Sequence, residues 1–574
     1  MGSTAPGVYL RTGSPRPGLP LRACGGFWIH AAGALASEST HPAVTVVFEG
    51  VLLGDRQPGR DDAEVAAERF ARDGARGLSD LDGFFRAIAV EPGAGRAWVV
   101  SDPLATRPLY LYRGEAGAAV APSPAFFAAQ ALPMHLDRQA LYEVFRLCHP
   151  VGARSLLRPV ERTRPRTQYR IDEDGTVHTI ASGPVQHHQD PAIDLDEAAT
   201  RINRTQARIV DAVLEHPRLR GRAVHLPLTS GMDSRHLLGV LLARGTPPAR
   251  LCHVHIDPRE HAVVRTLARD LGLPLVDPTV GQLHLTQLLR QWIERCAGLV
   301  HIHQLYLTGV GQDIEPAGAV GFDGYLADLF LGFHRLPLSL ARRRYVRWPM
   351  PLLFPDHAAR EAQCLGAIEA EAAQWAGSDD FKASGSDAFN RGPWYTGGAF
   401  PLVDPRADYF APAAHRDALE VFATVPAALL RHKRARLHMF RRDFPRLARA
   451  PTQNGVPLSQ RSTLPDRKTT SRLDALWTEL RRPHAVSGPQ QWLRRVDVLR
   501  RAMARVVADG HLVREGVVPR QVVAALWRAH LRGAPVAFAL MTLLSAEIAH
   551  RVCVAQQDPA EVTAWLLAQP GSPW

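Results

Sequence analysis

Short apolar runs separated by turn residues dominate the first third of the chain. Residues 44–48, 84–90 and 97–100 are rich in Val, Ile, Phe and Ala, and Gly, Pro or Asp residues lie between them. Such runs predict β-strands, whereas residues 63–73 have the spacing of one intervening helix. The polar stretch 183–194 contains Pro and His and is predicted to be a linker. The pattern predicts a β-rich domain over residues 1–190.

From residue 195 the pattern changes to helices that alternate with short apolar runs. The helical segments are 196–215, 235–244 and 260–271, and the apolar runs are 224–228, 251–256, 273–276 and 318–322. This alternation predicts an α/β domain with a parallel, doubly wound sheet, whose ligands bind at the carboxyl ends of the strands. Beyond about residue 340 the pattern is helical and arginine-rich, and residues 541–552 are predicted to form a core helix. The second domain is predicted to cover residues 191–574.

Composition narrows the class of protein. The chain has 574 residues, 46% hydrophobic and 22% charged, which is typical of a globular protein of two or three domains. There is no signal-peptide pattern and no apolar run long enough to span a bilayer, so we expect a cytoplasmic protein without a membrane partner. The six cysteines are scattered and form no CxxC pair, which indicates reduced, mostly buried thiols.

Charge and histidine positions offer two further interpretations. The net charge of +12 favours a polyanion such as ATP, an acidic peptide or RNA. Aromatic residues are sparse in the basic runs and no RNA-binding signature is present, so a nucleic-acid partner is not expected. His301 and His303 would share one face of a strand, but no third metal ligand lies nearby in the sequence.

Residues 228–234, Leu-Thr-Ser-Gly-Met-Asp-Ser, lie between an apolar run and a helical segment. Unpaired backbone N–H groups at such a helix start bind anions, and the hydroxyl groups of Ser230 and Ser234 add donors. Gly231 allows close approach of the backbone, and Asp233 suits a phosphate site only if a cation lies between them. The loop is interpreted as a phosphate cradle with an Mg²⁺ ligand, although an ordinary serine-capped turn would contain the same residues.

A second acidic loop follows the apolar run 318–322. Residues 323–332 read Asp-Gly-Tyr-Leu-Ala-Asp-Leu-Phe-Leu-Gly. Asp328 is the candidate for a second Mg²⁺ ligand and Asp323 is a weaker one, because two carboxylates from opposite loops can hold Mg²⁺ against a polyphosphate. The alternative role of Asp328 is that of a helix N-cap.

These two loops resemble signatures of the asparagine synthetase family. The first is similar to the SGGxDS loop of N-type ATP pyrophosphatases, and the second to the family's glycine-rich Gly-Asp loop, with Ala327 in place of a glycine. The resemblance implies a PP-loop ATP-pyrophosphatase domain over 191–574 that uses ATP and Mg²⁺, with Asp233 and Asp328 as metal ligands and catalytic residues. The residues implied to bind ATP or pyrophosphate are Leu228, Ser230, Gly231, Asp233, Ser234 and His255.

Further stretches extend the resemblance. Residues 401–404, 421–426, 444–445 and 455–457 follow the family's order, and Lys433 is a candidate catalytic residue, although a solvated base in an arginine-rich helix fits it equally well. Arg235 is a candidate for neutralising phosphate charge or, equally, a surface residue.

The N-terminal domain resembles the family's glutaminase domain, an Ntn-like α+β sandwich, through residues 44–50, 81–85 and 101–110. Glutamine-using members carry a cysteine directly after the initiator methionine, with the α-amine as base. Here position 2 is Gly2 and the first cysteine is Cys24. The resemblance therefore implies a degenerate glutamine amidotransferase-like domain over 1–190, and a nucleophile that is an amine of the substrate.

Family members with an inactive glutaminase domain include β-lactam synthetases, carbapenam synthetases and lasso peptide cyclases. The late-loop lysine of the small lactam synthetases is missing from residues 450–455, which favours a peptide cyclase. The implied enzyme adenylates an Asp or Glu side chain of a precursor peptide and joins it to the N-terminal amine, releasing AMP and pyrophosphate. Expected partners are the precursor peptide, a leader-peptide-binding protein and a leader peptidase. The alternatives are a synthetase acting on a small carboxylate, a tRNA-modifying PP-loop enzyme and a non-enzymatic scaffold.

Overall fold

The computed structural model describes residues 7–15, 21–54, 59–254, 258–278, 283–311, 318–332, 350–397, 407–452, 455–461 and 488–568. The strands are β1 (Gly7–Thr12), β2 (Arg22–Cys24), β3 (Phe27–Ala32), β4 (Ala36–His41), β5 (Val44–Leu52), β6 (Gly83–Glu91), β7 (Arg96–Ser101), β8 (Tyr110–Gly114), β9 (Gly117–Ala121), β10 (His135–Leu136), β11 (Leu157–Arg158), β12 (Val160–Arg162), β13 (Thr167–Asp172), β14 (Val177–Ala181), β15 (Val185–Gln186), β16 (Ala223–Pro227), β17 (Arg250–Cys252), β18 (Leu275–Val276), β19 (Ala319–Phe322), β20 (Trp375–Ala376) and β21 (Ala407–Phe410).

The helices lie mainly in the second half of the chain. They are α1 (Asp62–Ser79), α2 (Ala125–Ala129), α3 (Arg138–Leu147), α4 (Leu195–Leu214), α5 (Met232–Ala243), α6 (Pro258–Leu271), α7 (Leu285–Cys296), α8 (Ala327–Phe330), α9 (Met350–Leu353), α10 (His357–Ala372), α11 (Asp379–Phe389), α12 (Arg416–Thr424), α13 (Ala427–Leu430), α14 (Arg434–Asp443), α15 (Pro445–Arg449), α16 (Gly488–Arg495), α17 (Asp497–Asp509), α18 (His511–Arg514), α19 (Arg520–Leu531), α20 (Ala537–Ala549) and α21 (Pro559–Leu567).

Two antiparallel six-stranded sheets form the N-terminal part, in the orders β12-β8-β9-β1-β3-β2 and β14-β13-β7-β6-β5-β4. Every residue of β5 is buried, because its side chains alternate between two apolar layers. Val47 packs in the core between the sheets, whereas Val46 and Phe48 pack beneath α1. The predicted strands and helix of this region are confirmed, and α1 extends beyond the predicted end with a break at Gly74.

A five-stranded parallel sheet follows, in the order β18-β17-β16-β19-β21. The chain builds outward from β16, first through β17 and β18 on one side and then through β19 and β21 on the other. The carboxyl ends of β16 and β19 therefore flank the point where strand order reverses, which is where parallel sheets bind ligands. The predicted parallel sheet is confirmed, whereas its edge strand β21 was not predicted.

The remaining described residues are largely helical, as predicted. The predicted core segment 541–552 lies in the buried helix α20 and in the π-helical turn that follows it. Helix α20 packs in one apolar cluster with α7, α16, α17 and the outer face of the first antiparallel sheet. One helical stretch, Ala537–Val554, is long and apolar enough to cross a membrane by length and composition, and 89% of it is buried inside the protein.

Two local predictions are wrong. Residues 185–186 of the predicted linker form a strand that pairs with β20. His301 and His303 are not on a strand, because residues 302–311 form a 3₁₀ helix. His301 is buried, and the ring of the partly buried His303 stacks on Trp492. Burial lowers the pKa of each ring, to about 3 for His301 and about 4 for His303. These histidines serve as core residues.

Two buried charged clusters connect the N-terminal sheets with the rest of the chain. In the first, Glu49 contacts Arg86 at 2.8 Å and also pairs with Arg107, whose guanidinium lies 5.6 Å from the ring centre of Phe410. In the second, His415 lies 2.8 Å from Asp82 and 3.5 Å from Asp417. Arg208 and Arg416 add positive charge to this second cluster.

Candidate functional site

The loop between β16 and α5 is held in shape by its own hydroxyl groups. The Ser234 hydroxyl accepts a 3.0 Å hydrogen bond from the backbone N–H of Thr229, and the N–H of Gly231 donates to Thr229 Oγ1 at 3.2 Å. Gly231 is the N-cap of α5 and no side chain caps this helix. Since α5 has twelve residues, the positive end of its dipole and its N–H groups face the position where an anion would bind.

A carboxylate from the neighbouring strand–helix unit already contacts this loop. Glu260, in the first turn of α6, accepts hydrogen bonds from the backbone N–H and the hydroxyl of Ser230, at 3.2 and 3.1 Å. The loop therefore binds an anionic group through the donors expected to bind phosphate. An incoming phosphate competes with Glu260 for Ser230.

The second acidic loop lies directly against the first. Asp323, just after β19, accepts a 2.8 Å hydrogen bond from the N–H of Tyr325. A Cβ atom added at Gly324 would overlap the side chain of Asp233, so glycine permits the close approach of the two loops. Asp328 lies in the first turn of α8, after Leu326 in the left-handed region.

Two basic residues from α14 and its N-cap connect these carboxylates. Arg436 is fully buried, and its Nη1 lies 2.6 Å from Asp233 Oδ1 and 3.7 Å from Asp328 Oδ1. The Lys433 ammonium group forms an ion pair with Asp328. Lys433 has a positive φ of 59°, an uncommon backbone conformation that places it at the start of α14. The four side chains bring two negative and two positive charges together at one edge of the sheet.

Burial and neighbouring charges shift the pKa values of two aspartates in this cluster. Burial raises the pKa of Asp233, and the nearby Asp328 carboxylate raises it further, while Arg436 and Lys433 oppose the shift. Burial likewise raises the pKa of Asp323 to about 6, with a smaller contribution from Asp233. Arg436 and Lys433 therefore offset part of the negative charge that the two acidic loops bring together.

The side chains present fit Mg²⁺ beside a polyphosphate. Asp233 and Asp328 offer the carboxylate oxygens that Mg²⁺ prefers, and both lie near the same nitrogen of Arg436. Arg436 also has two donors, Nε and Nη2, that are buried and make no hydrogen bond within the described residues. Buried donors normally have partners, so an anionic ligand would complete this site.

Most of the predicted site residues lie together at one edge of the parallel sheet. The structure brings Leu228, Ser230, Gly231, Asp233 and Ser234 into one loop, with Asp328 and Lys433 beside it. That these residues bind ATP and metal stays a prediction. His255 lies outside the described residues.

Arg235 was expected either to neutralise phosphate charge or to lie on the surface, and both expectations are wrong. This side chain is fully buried and points away from the loop, since its guanidinium donates to backbone carbonyls of Leu447, Ala450 and Pro451. Burial lowers the pKa of Arg235 to about 10. Its role is to fix the segment after α15 against α5.

Sequence reasoning missed Arg436 and Glu260. Arg436 lies in a basic run whose charge alone does not indicate a contact with Asp233, and it is in the first turn of α14, directly after the N-cap Lys433. Glu260 opens the helix after the next parallel strand, and this position alone predicts that it lies at the same sheet edge.

The N-terminal part contains no exposed thiol near a base within the described residues. Cys24 is buried in the core between the two sheets, and the other thiols are buried except Cys148, which is half-buried. Asp102, in the stretch resembling the glutaminase domain, accepts hydrogen bonds from the N–H groups of Leu104 and Thr106 and from the Thr106 hydroxyl. Burial raises the pKa of Asp102 to about 6. This aspartate shapes a turn.

Residues 52–180 match the family of glutamine amidotransferase domains. The match indicates a glutamine amidotransferase-type domain in the N-terminal part of the chain. No curated protein matches the chain at a significant level.

Two solved structures are also similar to part of the chain. One is glutamine phosphoribosylpyrophosphate amidotransferase from B. subtilis complexed with ADP and GMP, at 14% identity and a TM-score of 0.20, covering 44% of this chain and 67% of that one. The other is described as the allosteric regulatory enzyme of purine biosynthesis, at 13% identity and a TM-score of 0.20, covering 44% and 66%. The chain thus spans about two thirds of these proteins, and likenesses this weak carry no argument about its activity.

Proposed function

We propose that this chain is an ATP-dependent amide synthetase that closes a peptide macrolactam, resembling lasso peptide cyclases. The observation that carries the proposal is the meeting of Asp233 and Asp328, from loops after adjacent parallel strands, beside the buried Arg436 and the partly exposed Lys433. Such a site suits the cleavage of ATP between the α- and β-phosphates. The amidotransferase-type match over residues 52–180 supports amide chemistry.

In the proposed reaction, a side-chain carboxylate oxygen of the peptide attacks the α-phosphorus of ATP. The bond between that phosphorus and the bridging oxygen breaks, and pyrophosphate leaves. The N-terminal amine of the peptide then attacks the activated carbonyl carbon, loses a proton, and AMP departs as the amide forms. Positioning the amine within one bound molecule supplies much of the acceleration of the second step.

Each residue of the site has a proposed task. The N–H groups and hydroxyls of Ser230 and Ser234 hold the phosphates that become pyrophosphate. Asp233 and Asp328 would hold Mg²⁺, which when bound offsets phosphate charge. Lys433 and Arg436 stabilise the negative charge that collects on the leaving pyrophosphate.

Precursor peptides with a free N-terminal amine and an internal Asp or Glu are the substrates to test. Purified protein with ATP, Mg²⁺ and labelled pyrophosphate should catalyse exchange of label into ATP when such a peptide is present. Exchange with small amino acids alone would instead support a synthetase acting on a small carboxylate. Absence of both exchange and measurable ATP binding would refute the proposal.

A further inference from the structure

A histidine-rich cluster lies outside the candidate active site, where the short helix α18 meets the end of α20. His511 and Glu515 are four residues apart at α18, and His550 follows α20 directly. The donor atoms of the three side chains all lie within 4.8 Å of one another. His550 begins a π-helical turn, His550–Val554, and such turns often occur at functional positions.

The spacing suits a metal better than a hydrogen bond. His511 Nδ1 lies 3.3 Å from Glu515 Oε1, and His550 Nε2 lies 3.4 Å from Glu515 Oε2. Both are long for hydrogen bonds. Ligand atoms about 2.0–2.1 Å from a tetrahedral Zn²⁺ are separated by about 3.3–3.4 Å. Each histidine nitrogen lies at that separation from one of the two Glu515 oxygens, and one donor atom of each residue lies within 4.8 Å of the other two.

The backbone of this cluster is held in place before any metal binds. The fully buried Glu547 carboxylate on α20 accepts hydrogen bonds from the N–H groups of His511 and Leu512, at 2.8 and 3.0 Å. Glu547 is itself paired with Arg551 at 2.8 Å. The first residue of α18 is thereby fixed over α20, and the two histidine ring centres lie 5.2 Å apart.

The charges distinguish this cluster from a salt-bridge network. Asp82, His415 and Asp417 also have donor atoms close together, but arginines already neutralise them. In contrast, Glu515 pairs only with the two histidines among the described residues. His550 is nine-tenths buried, and its Nδ1 makes no hydrogen bond within the described chain. The ion would bind the other ring nitrogen, Nε2, which lies 3.4 Å from Glu515.

We propose that His511, Glu515 and His550 bind one zinc ion, with a fourth position left for water. Glu515 is half exposed, so that position faces solvent. The ion would join α18 to α20 and act as a structural clamp in the helical part of the chain. This inference is independent of the proposed synthetase function.

The test uses the full-length protein, stripped with a chelator, and zinc sulfate alone as the probe. Competition against a chromophoric chelator should show one tight zinc site per chain. His511→Ala and Glu515→Gln should each weaken binding by about 100-fold, whereas His135→Ala, an exposed histidine elsewhere, should leave it unchanged.

His511 and Glu515 are chosen because both are partly exposed, so their replacement should leave the fold intact. Zinc should also raise the unfolding temperature of the stripped wild type but not of His511→Ala. Absence of a tight site in the wild type, or an affinity equal to that of the wild type in either variant, would overturn the proposal.

Discussion

Replacing Arg436 with methionine tests whether the buried guanidinium serves the phosphates. The side chain is fully buried, and its Nε and Nη2 donors make no hydrogen bond within the described residues, so we expect a bound phosphate to accept from them. A hydrogen bond to a charged group contributes about 1.5–3 kcal/mol, so two such bonds to a phosphate contribute about 3–6 kcal/mol. Since about 1.4 kcal/mol is a factor of ten, Arg436→Met should slow ATP–pyrophosphate exchange by about 10²- to 10⁴-fold.

The fold should survive this change, because Asp233 and Asp328 are 27% and 39% exposed and Lys433 still pairs with Asp328. The matched control is Arg434→Met, an exposed arginine in the first turn of the same helix, which should exchange at the wild-type rate. Circular dichroism would verify that both variants are folded. An Arg436→Met protein that exchanges within twofold of wild type would refute the proposed role.

Three further changes test other parts of the structure. Glu260→Gln removes the negative charge that competes with phosphate for Ser230. The KM for ATP in the exchange assay should therefore fall about fivefold, and a higher KM would show that Glu260 assists ATP binding. Glu49→Gln leaves two arginines beside a neutral group. The free energy of unfolding measured by urea titration should fall by about 3–5 kcal/mol, and a value within 1 kcal/mol of wild type would contradict a stabilising role for this cluster.

The third change, His415→Gln, concerns pH. Burial alone would lower the pKa of His415, but its two aspartates outweigh burial and raise it. The stabilisation is therefore complete below about pH 6.5 and is lost as pH rises through the raised pKa. The difference in unfolding midpoint between wild type and variant should shrink between pH 6 and 9, and a constant difference would contradict this reasoning.

The sequence predicted the parts of the site that depend on local order. Strand β16, the loop and helix α5 follow one another directly in the sequence. The apolar run and the helical spacing therefore sufficed to place Ser230, Asp233 and Ser234 at the end of a strand. The apolar run of β19 located the second acidic loop in the same way. The alternation of helices and strands predicted that the strands are parallel.

Contacts between distant segments were not predictable. Arg436 lies about two hundred positions after Asp233 in the chain, and only the packing of α14 against α4 and the sheet brings the two together. Arg235 is adjacent to the loop in sequence, yet it faces the opposite way because the carbonyl groups after α15 bind it. Strand β21 reads Ala-Asp-Tyr-Phe and, unlike the four residues of β19, contains a charged residue, so it is not a continuous apolar run.

Transfer of oxygen from the substrate carboxylate to AMP tests the central claim most directly. A peptide with ¹⁸O in an internal Asp or Glu side chain would be incubated with the protein, ATP and Mg²⁺, and the AMP analysed by mass spectrometry. The account predicts one ¹⁸O atom in each AMP, formed together with a peptide that is lighter by one water. Formation of ADP, or of AMP without the label, would contradict adenylation of the carboxylate.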